Sequence, residues 1–254
     1  MLSVTPTKLS DYLICPQKYK LRHISKIEKA NASAALSFGR TMHRALQSLH
    51  RSEKRLSEYT EISELLTRYR EAGAYSNAEE DDLYFAKGCR ALQSYCKSYD
   101  SFDETTVGTE VYLSYILKIG ELQVRLGCKA DRISARAEEL LEIIDYKTNG
   151  SGKVPTLDSL QNDLPTFLYY VLARASYPQY EQIRITFLNI ITLEKVSVNC
   201  NATQVAANKQ SLLECFKALA AANFSPTPSE ACSWCSFQDD CFAFNKIVDF
   251  DSII

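Results

Sequence analysis

Apolar residues recur every third or fourth position over most of the chain and every second position through its middle, and the change of period marks out the elements. Leu36, Met42, Ala45, Leu46 and Leu49 keep helical spacing with Arg40, His43 and Arg44 around them, predicting a helix over 35–50. A shorter helix carries Leu9, Tyr12, Leu13 and Tyr19, with Thr5-Pro6 as its cap and first-turn proline after a lead-in at Ser3 to Thr7. Residues 53–103 look helical apart from an interruption near Gly73 to Asn77, and they read as a helical insertion beside the core that shows no chemistry of its own. Its aromatic residues, Tyr69, Tyr75, Tyr84, Phe85, Tyr95 and Tyr99, suit packing between helices. From Thr106 the pattern turns β-branched and alternating, predicting strands over 107–117, 121–133 and 139–147 with a turn at 134–138. A helix over 157–176 follows, in which Pro165 must lie early or divide it in two. A strand over 181–191, a turn at 192–195 with a partner strand at 196–198, and a last helix over 202–222 complete the order. The predicted class is α/β, a mixed sheet flanked by helices.

Composition narrows the class. The chain has 254 residues, 46% hydrophobic and 24% charged, enough for one substantial core. A net charge of −2 gives no global attraction to nucleic acid, so any such contact needs a local basic surface. Lys18, Lys20, Arg22, Lys26 and Lys29 crowd the start, whereas Glu230, Asp239, Asp240, Asp249 and Asp251 crowd the end. No stretch approaches the roughly 18 apolar residues that span a bilayer, and the first residues lack a signal-peptide core, so no membrane role and a cytoplasmic location are expected.

The chemistry concentrates in one hairpin. Leu140 to Ile144 is apolar and then presents Asp145 and Lys147, which are two apart and share one face of a strand. Pairing with the preceding strand brings Asp131 near them. Two carboxylates offer hard oxygen ligands to Mg²⁺ or Mn²⁺, and a lysine can hold a water or a developing charge on a phosphodiester. The competing use of the same residues is an ion pair closing a hairpin. Glu110 heads the first predicted strand, where a surface acid is the ordinary use, and His43 alone suits a helix surface. Gly150-Ser151-Gly152-Lys153-Val154 does not make a phosphate-binding loop, because Lys147, Val154 and Pro155 stand where Gly, Ser or Thr, and a helix start are required.

Nine cysteines fall into two groups. Cys89, Cys96, Cys128, Cys200 and Cys215 sit singly in apolar or amphipathic runs and read as small core residues. Cys232, Cys235 and Cys241 have metal-ligand spacing, and Cys15, followed by Pro16, is the best fourth ligand. These ligands suit an iron-sulfur cluster or a structural zinc ion alike, and either would staple the two ends of the chain together.

Five segments carry a resemblance: Leu9 to Tyr19 with Cys15-Pro16, Phe38-Gly39-Arg40-Thr41-Met42-His43, Lys129 to Ile133, Ile144 to Thr148, and the cysteine triplet. The sequence resembles the PD-(D/E)xK nuclease superfamily, specifically RecB-like exonucleases with an iron-sulfur staple, such as the AddB nuclease domain and the CRISPR-associated RecB-like exonucleases. The resemblance implies a restriction-endonuclease-like fold, with 1–254 a single nuclease domain, an insertion at about 53–103 and a staple formed by Cys15 and 232–241. It implies metal ligation by His43, Asp131, Asp145 and the Tyr146 carbonyl, with Glu110 as an extra acid, and Lys147 as the catalytic lysine beside Asp131 and Asp145. It shifts the cysteine site toward a 4Fe-4S cluster over zinc. The family glutamine four residues before a tyrosine is missing, since Pro165 stands four before Tyr169; either Gln161, one helical turn earlier, is the substitute or the role is absent.

The expected activity is a Mg²⁺- or Mn²⁺-dependent deoxyribonuclease, an exonuclease acting on single strands or duplex ends in DNA repair, recombination or CRISPR adaptation. Arg40, Arg44 and the Lys18 to Lys29 cluster would contact phosphates, and Gln161 and Tyr169 would touch the strand. A separate helicase or CRISPR integrase proteins would be partners. The rival from another class is a non-catalytic iron-sulfur module that docks DNA or a helicase without cutting.

Overall fold

A computed structural model describes residues 1–29, 33–52, 58–71, 75–99, 104–136, 139–149 and 154–244. Strands β1 (Leu2–Val4), β2 (Glu104–Ile119), β3 (Leu122–Arg136), β4 (Leu140–Lys147), β5 (Gln182–Asn189) and β6 (Lys195–Asn199) form one mixed sheet. β3 is its spine. It pairs antiparallel with β2 along nearly its whole length, while its other edge takes β1 in parallel at Val124 to Leu126 and β4 antiparallel at Arg132 to Arg136. β5 continues parallel to β4, and β6 closes the sheet antiparallel to β5.

Helices cover both faces. On one face α1 (Pro6–Ile14), α7 (Leu164–Ser176) and α8 (Ala202–Ala220) enclose a core with Val124, Leu126, Leu141, Ile143, Leu168 and Phe216. On the other, α3 (Ala34–Arg51), α4 (Tyr59–Tyr69) and α5 (Ala78–Ser98) pack on Ile144, Tyr146 and Ile190. The apolar run that opens β4 is therefore explained by burial from both sides. This is the mixed α/β architecture expected of a restriction-endonuclease-like fold.

The elements differ from expectation in three places, and in a fourth they settle an alternative. β1 occupies residues read as a lead-in to α1, because three residues are too few to show a period, and pairing with β3 makes them a strand. Ser134 to Arg136, expected in a turn, continue β3 through pairing with β2 and β4. The helix over 157–176 is two pieces, α6 (Leu157–Gln161) and α7, with Asp163 capping α7 through Thr166 N–H and Pro165 in the first turn, where its missing N–H costs nothing. Beyond α1, a four-residue helix α2 (Pro16–Tyr19) runs into a π-turn over Lys20–Ile24. The interruption at Gly73, the glycine loop at 150–153, the ends of the insertion at 53–57 and 100–103, and Asp249 and Asp251 lie outside the described residues.

Candidate metal and phosphodiester site

The site lies where β3 loses its strand partner. Between Leu126, the last residue paired with β1, and Arg132, the first paired with β4, one edge of β3 is open. Asp131 fills the gap with its side chain: Oδ2 accepts the Tyr146 N–H at 2.7 Å, replacing a ladder bond and prying β4 away from β3. The alternation of faces also breaks here. Val111 and Ala130 pack in the α1–α7–α8 core, yet two residues along each strand Thr109 and Arg132 bond to Arg51 and His50 of α3 on the other side. Glu110, between them on β2, takes φ +54°, a left-handed conformation strained for a side chain with a Cβ. The result turns the Glu110 and Asp131 carboxylates into the cleft between the helical layers.

His43 reaches them from α3. Gly39, one turn earlier, lies so close to the end of β4 that a Cβ would stand 3.1 Å from Thr148 Oγ1, which seats this helix tightly over the strand. His43 Nδ1 is then 3.2 Å from Asp131 Oδ1 and 4.0 Å from Glu110 Oε1. Among the described residues, only His43, Glu110 and Asp131 bring three such ligand atoms within 4.8 Å of one another. Burial alone would lower the His43 pKa, but the Asp131 hydrogen bond and the charges of Asp131, Asp145 and Glu110 outweigh it and raise it. One imidazole and two carboxylates in a part-buried cleft fit a divalent ion that tolerates mixed nitrogen and oxygen ligands.

Asp145 and Lys147 flank this trio. They form an ion pair with each other, and Lys147 Nζ also lies 5.3 Å from the centre of the Phe187 ring. Tyr169 O–H donates to Asp145 Oδ1 at 3.4 Å. Burial and the negative charge of Asp131 raise the Asp145 pKa, with Lys147 and His43 opposing. The Tyr169 hydroxyl is held far above its usual range by burial and by Asp145. Glu110 thus belongs to the innermost trio, while Asp145 faces the lysine and is bonded by Tyr169.

Other candidate residues lie elsewhere. Arg40 and Arg44 both pair with Glu71, Arg40 at 2.6 Å, and Gln161 ends α6 with its carbonyl accepting from Asn208. In the basic cluster near the start, Lys18, Arg22 and Lys29 pair with acids of the fold, and Lys20 and Lys26 are exposed. Buried Asp11 takes Lys18 at 2.9 Å, Arg22 at 3.0 Å and His23 at 2.8 Å, and Lys29 pairs with Asp240 at 2.5 Å. Burial works against the Asp11 carboxylate, but bonds to Lys18 and His23 hold its pKa below the usual range.

Cys15, Cys232, Cys235 and Cys241 line one cavity of about 170 Å³ between the two ends of the chain. Tyr12 O–H donates to the Asn223 carbonyl at 3.0 Å, Tyr19 stacks on Phe224, and Lys18 sits over Trp234, so the ends are tied by ordinary contacts as well.

One group escaped the sequence reading altogether. On the reverse of β3 and β4, His50 Nε2 lies 2.7 Å from Tyr95 Oη and 3.2 Å from Tyr146 Oη, and its Nδ1 3.4 Å from Arg132. Arg132 in turn bonds to Tyr99 and Glu104, both at 2.6 Å. Arg132 adjoins Asp131 and Tyr146 separates Asp145 from Lys147, so this buried network braces both halves of the site from behind. An acid-arginine neighbour pair, Asp131-Arg132, was the only available signal.

No curated protein matches the chain. Among solved structures, a candidate exonuclease from Eubacterium rectale is similar at a TM-score of 0.53 and 10% identity, covering 98% of this chain and 89% of that one, a likeness of fold. SSO0001 is similar at a TM-score of 0.39 and 17% identity, covering 90% and 94% of the two chains, too low to carry an argument. The family comparison reaches further. The model of the PD-(D/E)XK nuclease superfamily matches residues 3–242, from β1 through the last cysteine and so across every element that builds the cleft, and the chain belongs to that superfamily.

Proposed function

We propose that the protein is a metal-dependent deoxyribonuclease of the RecB-like exonuclease type. The observation that carries this is the convergence of His43, Glu110 and Asp131 on one point, with the Asp145–Lys147 pair beside it, in a member of a nuclease superfamily. A bound Mg²⁺ or Mn²⁺ would supply an acidified water and neutralise charge on the phosphate. His43 and the carboxylates of Asp131 and Glu110 would hold it, joined by Asp145 and the Tyr146 carbonyl, and the imidazole favours Mn²⁺. Asp145 orients the Lys147 ammonium, and Tyr169 orients Asp145. Lys147 then offers positive charge where negative charge develops on the phosphoryl oxygens.

Cys15, Cys232, Cys235 and Cys241 are proposed to hold a 4Fe-4S cluster. What supports a bound group here is that all four cysteines line one cavity, and the resemblance favours the cluster over zinc. A brown protein with visible absorbance and stoichiometric iron is expected; a colourless preparation holding zinc overturns the assignment. The single-domain organisation over 1–254, with its insertion and staple, belongs to the same proposal. So does a place in repair, recombination or CRISPR adaptation beside a helicase or integrase.

Purified protein with Mn²⁺ and end-labelled single-stranded DNA tests the activity. Cleavage by the wild-type chain, lost in Lys147→Ala, is the expected result. No cleavage with either metal, on single strands or duplex ends, overturns it.

A further inference from the structure

A groove of about 450 Å³ opens directly beside the catalytic lysine. Lys147 and Tyr146 of β4 form one wall, Leu36 and Phe38 of α3 the second, and Tyr84 and Lys87 of α5 the third. The helical insertion, which showed no chemistry as sequence, therefore reaches the site through a cation. Lys87 Nζ lies 5.5 Å from the Phe38 ring centre and 6.0 Å from that of Tyr84. Among the described residues it has no carboxylate at ion-pair distance, in contrast to Arg40, Arg44 and Arg70 of the same layer.

Its position is built in. At the adjacent Gly88 a Cβ would stand 3.2 Å from Leu66 and 3.3 Å from both Met42 and Phe38, so α5 is pressed against α3 and α4 at this point. The backbone under Lys87 cannot shift without repacking three helices. Lys87 thus lines a concavity that Lys147, its ammonium paired with Asp145, borders along with half-exposed Leu36 and Tyr84. Positive charge together with apolar surface is the chemistry that recognises a nucleotide of a single strand, with cations for the backbone and apolar faces for the base. The volume falls at the small-ligand end of pocket sizes and matches one nucleotide, not a base pair.

We propose that Lys87 is a specificity-determining residue. It binds the backbone phosphate next to the scissile one and guides one unpaired strand past Lys147 into the metal site. The inference rests on the nuclease reading above.

The test measures fluorescence anisotropy of a labelled oligothymidine against salt concentration, in the uncleaving Lys147→Ala background. Loss of one phosphate contact to a single strand lowers the slope of log affinity against log salt by about 0.7. The same shallower slope, with roughly three- to tenfold weaker binding at ~0.1 M salt, is expected for Lys87→Ala. Lys87→Arg should restore both. An unchanged slope and affinity in Lys87→Ala overturns the proposal. The two readings fail distinguishably: a wild-type chain that cuts DNA, paired with an indifferent Lys87→Ala, removes the subsite alone, whereas a wild-type chain that neither binds nor cuts removes the nuclease reading with it.

Discussion

Glu110 shows what a single residue can do at this site. Its left-handed φ of +54° is unfavourable for any residue with a Cβ, and its carboxylate is turned toward Asp131 and His43, with Lys129 pairing it from β3. Glu110→Gly is expected to raise unfolding free energy by about 0.5–1 kcal/mol in urea titrations while weakening Mn²⁺ binding roughly tenfold or more in calorimetry. A variant both less stable and unaltered in metal binding would contradict that division of roles. Lys147→Ala should lower the cleavage rate by at least about a hundredfold in a chain whose circular-dichroism spectrum is that of the wild type, since the lysine side chain is 40% exposed. Strand spacing placed Asp145 and Lys147 on one face with Asp131 near them, and left a hairpin ion pair open as their use. Glu110's place in the innermost trio was not legible, since a backbone strain leaves no mark on residue type.

Between elements, the buried network behind β3 and β4 is the feature with the largest energetic consequence. Arg132 is 2% exposed and its partner Glu104 is fully covered at the side chain. Arg132→Met leaves that carboxylate buried with one cation fewer, and a loss of about 3–5 kcal/mol is expected, read by chemical denaturation. Replacing Glu104 by Gln in the same variant should recover part of it. His50 makes the same region sensitive to acid: burial and Arg132 push its pKa down to about 3 from the ordinary 6.5. Between those values the unfolded chain binds a proton that the folded chain refuses, so the stabilisation is complete above about pH 6.5 and is lost as pH falls toward 3. His50→Phe should flatten that part of the stability–pH curve; an unaltered slope would place the acid sensitivity elsewhere. The helices and strands themselves were largely readable from period and capping. The three-residue β1 was not, because it is made a strand only by pairing with β3, and the division of α6 from α7, which Pro165 left as one of two outcomes, is decided by a cap at Asp163.

At the scale of the whole molecule the two ends of the chain form one unit. The basic start and acidic end meet at Lys29 and Asp240, and Tyr12 and Tyr19 join α1 and α2 to Asn223 and Phe224. Cys232→Ser is expected to abolish the visible absorbance of the proposed cluster and to make the segment after α8 the first target of limited proteolysis, with the cleft-forming sheet left intact. Proteolysis at the same rate as wild type would show that the ordinary contacts suffice to hold the ends. Of the basic cluster near the start, Lys18 and Arg22 pair with Asp11 and Lys29 with Asp240, while Lys87 of the insertion lines the groove beside Lys147.

The sequence by itself determined the fold class, the acid-and-lysine hairpin and the metal-ligand spacing of the cysteines, because periodicity and residue spacing along one strand or turn act over a few residues. Tertiary structure decided which of the acids meet His43, which cations stay accessible and what the insertion contributes. Those outcomes depend on where β4 parts from β3, on the twist at Glu110 and on the close helix contacts at Gly39 and Gly88, and each is set by packing between segments tens of residues apart.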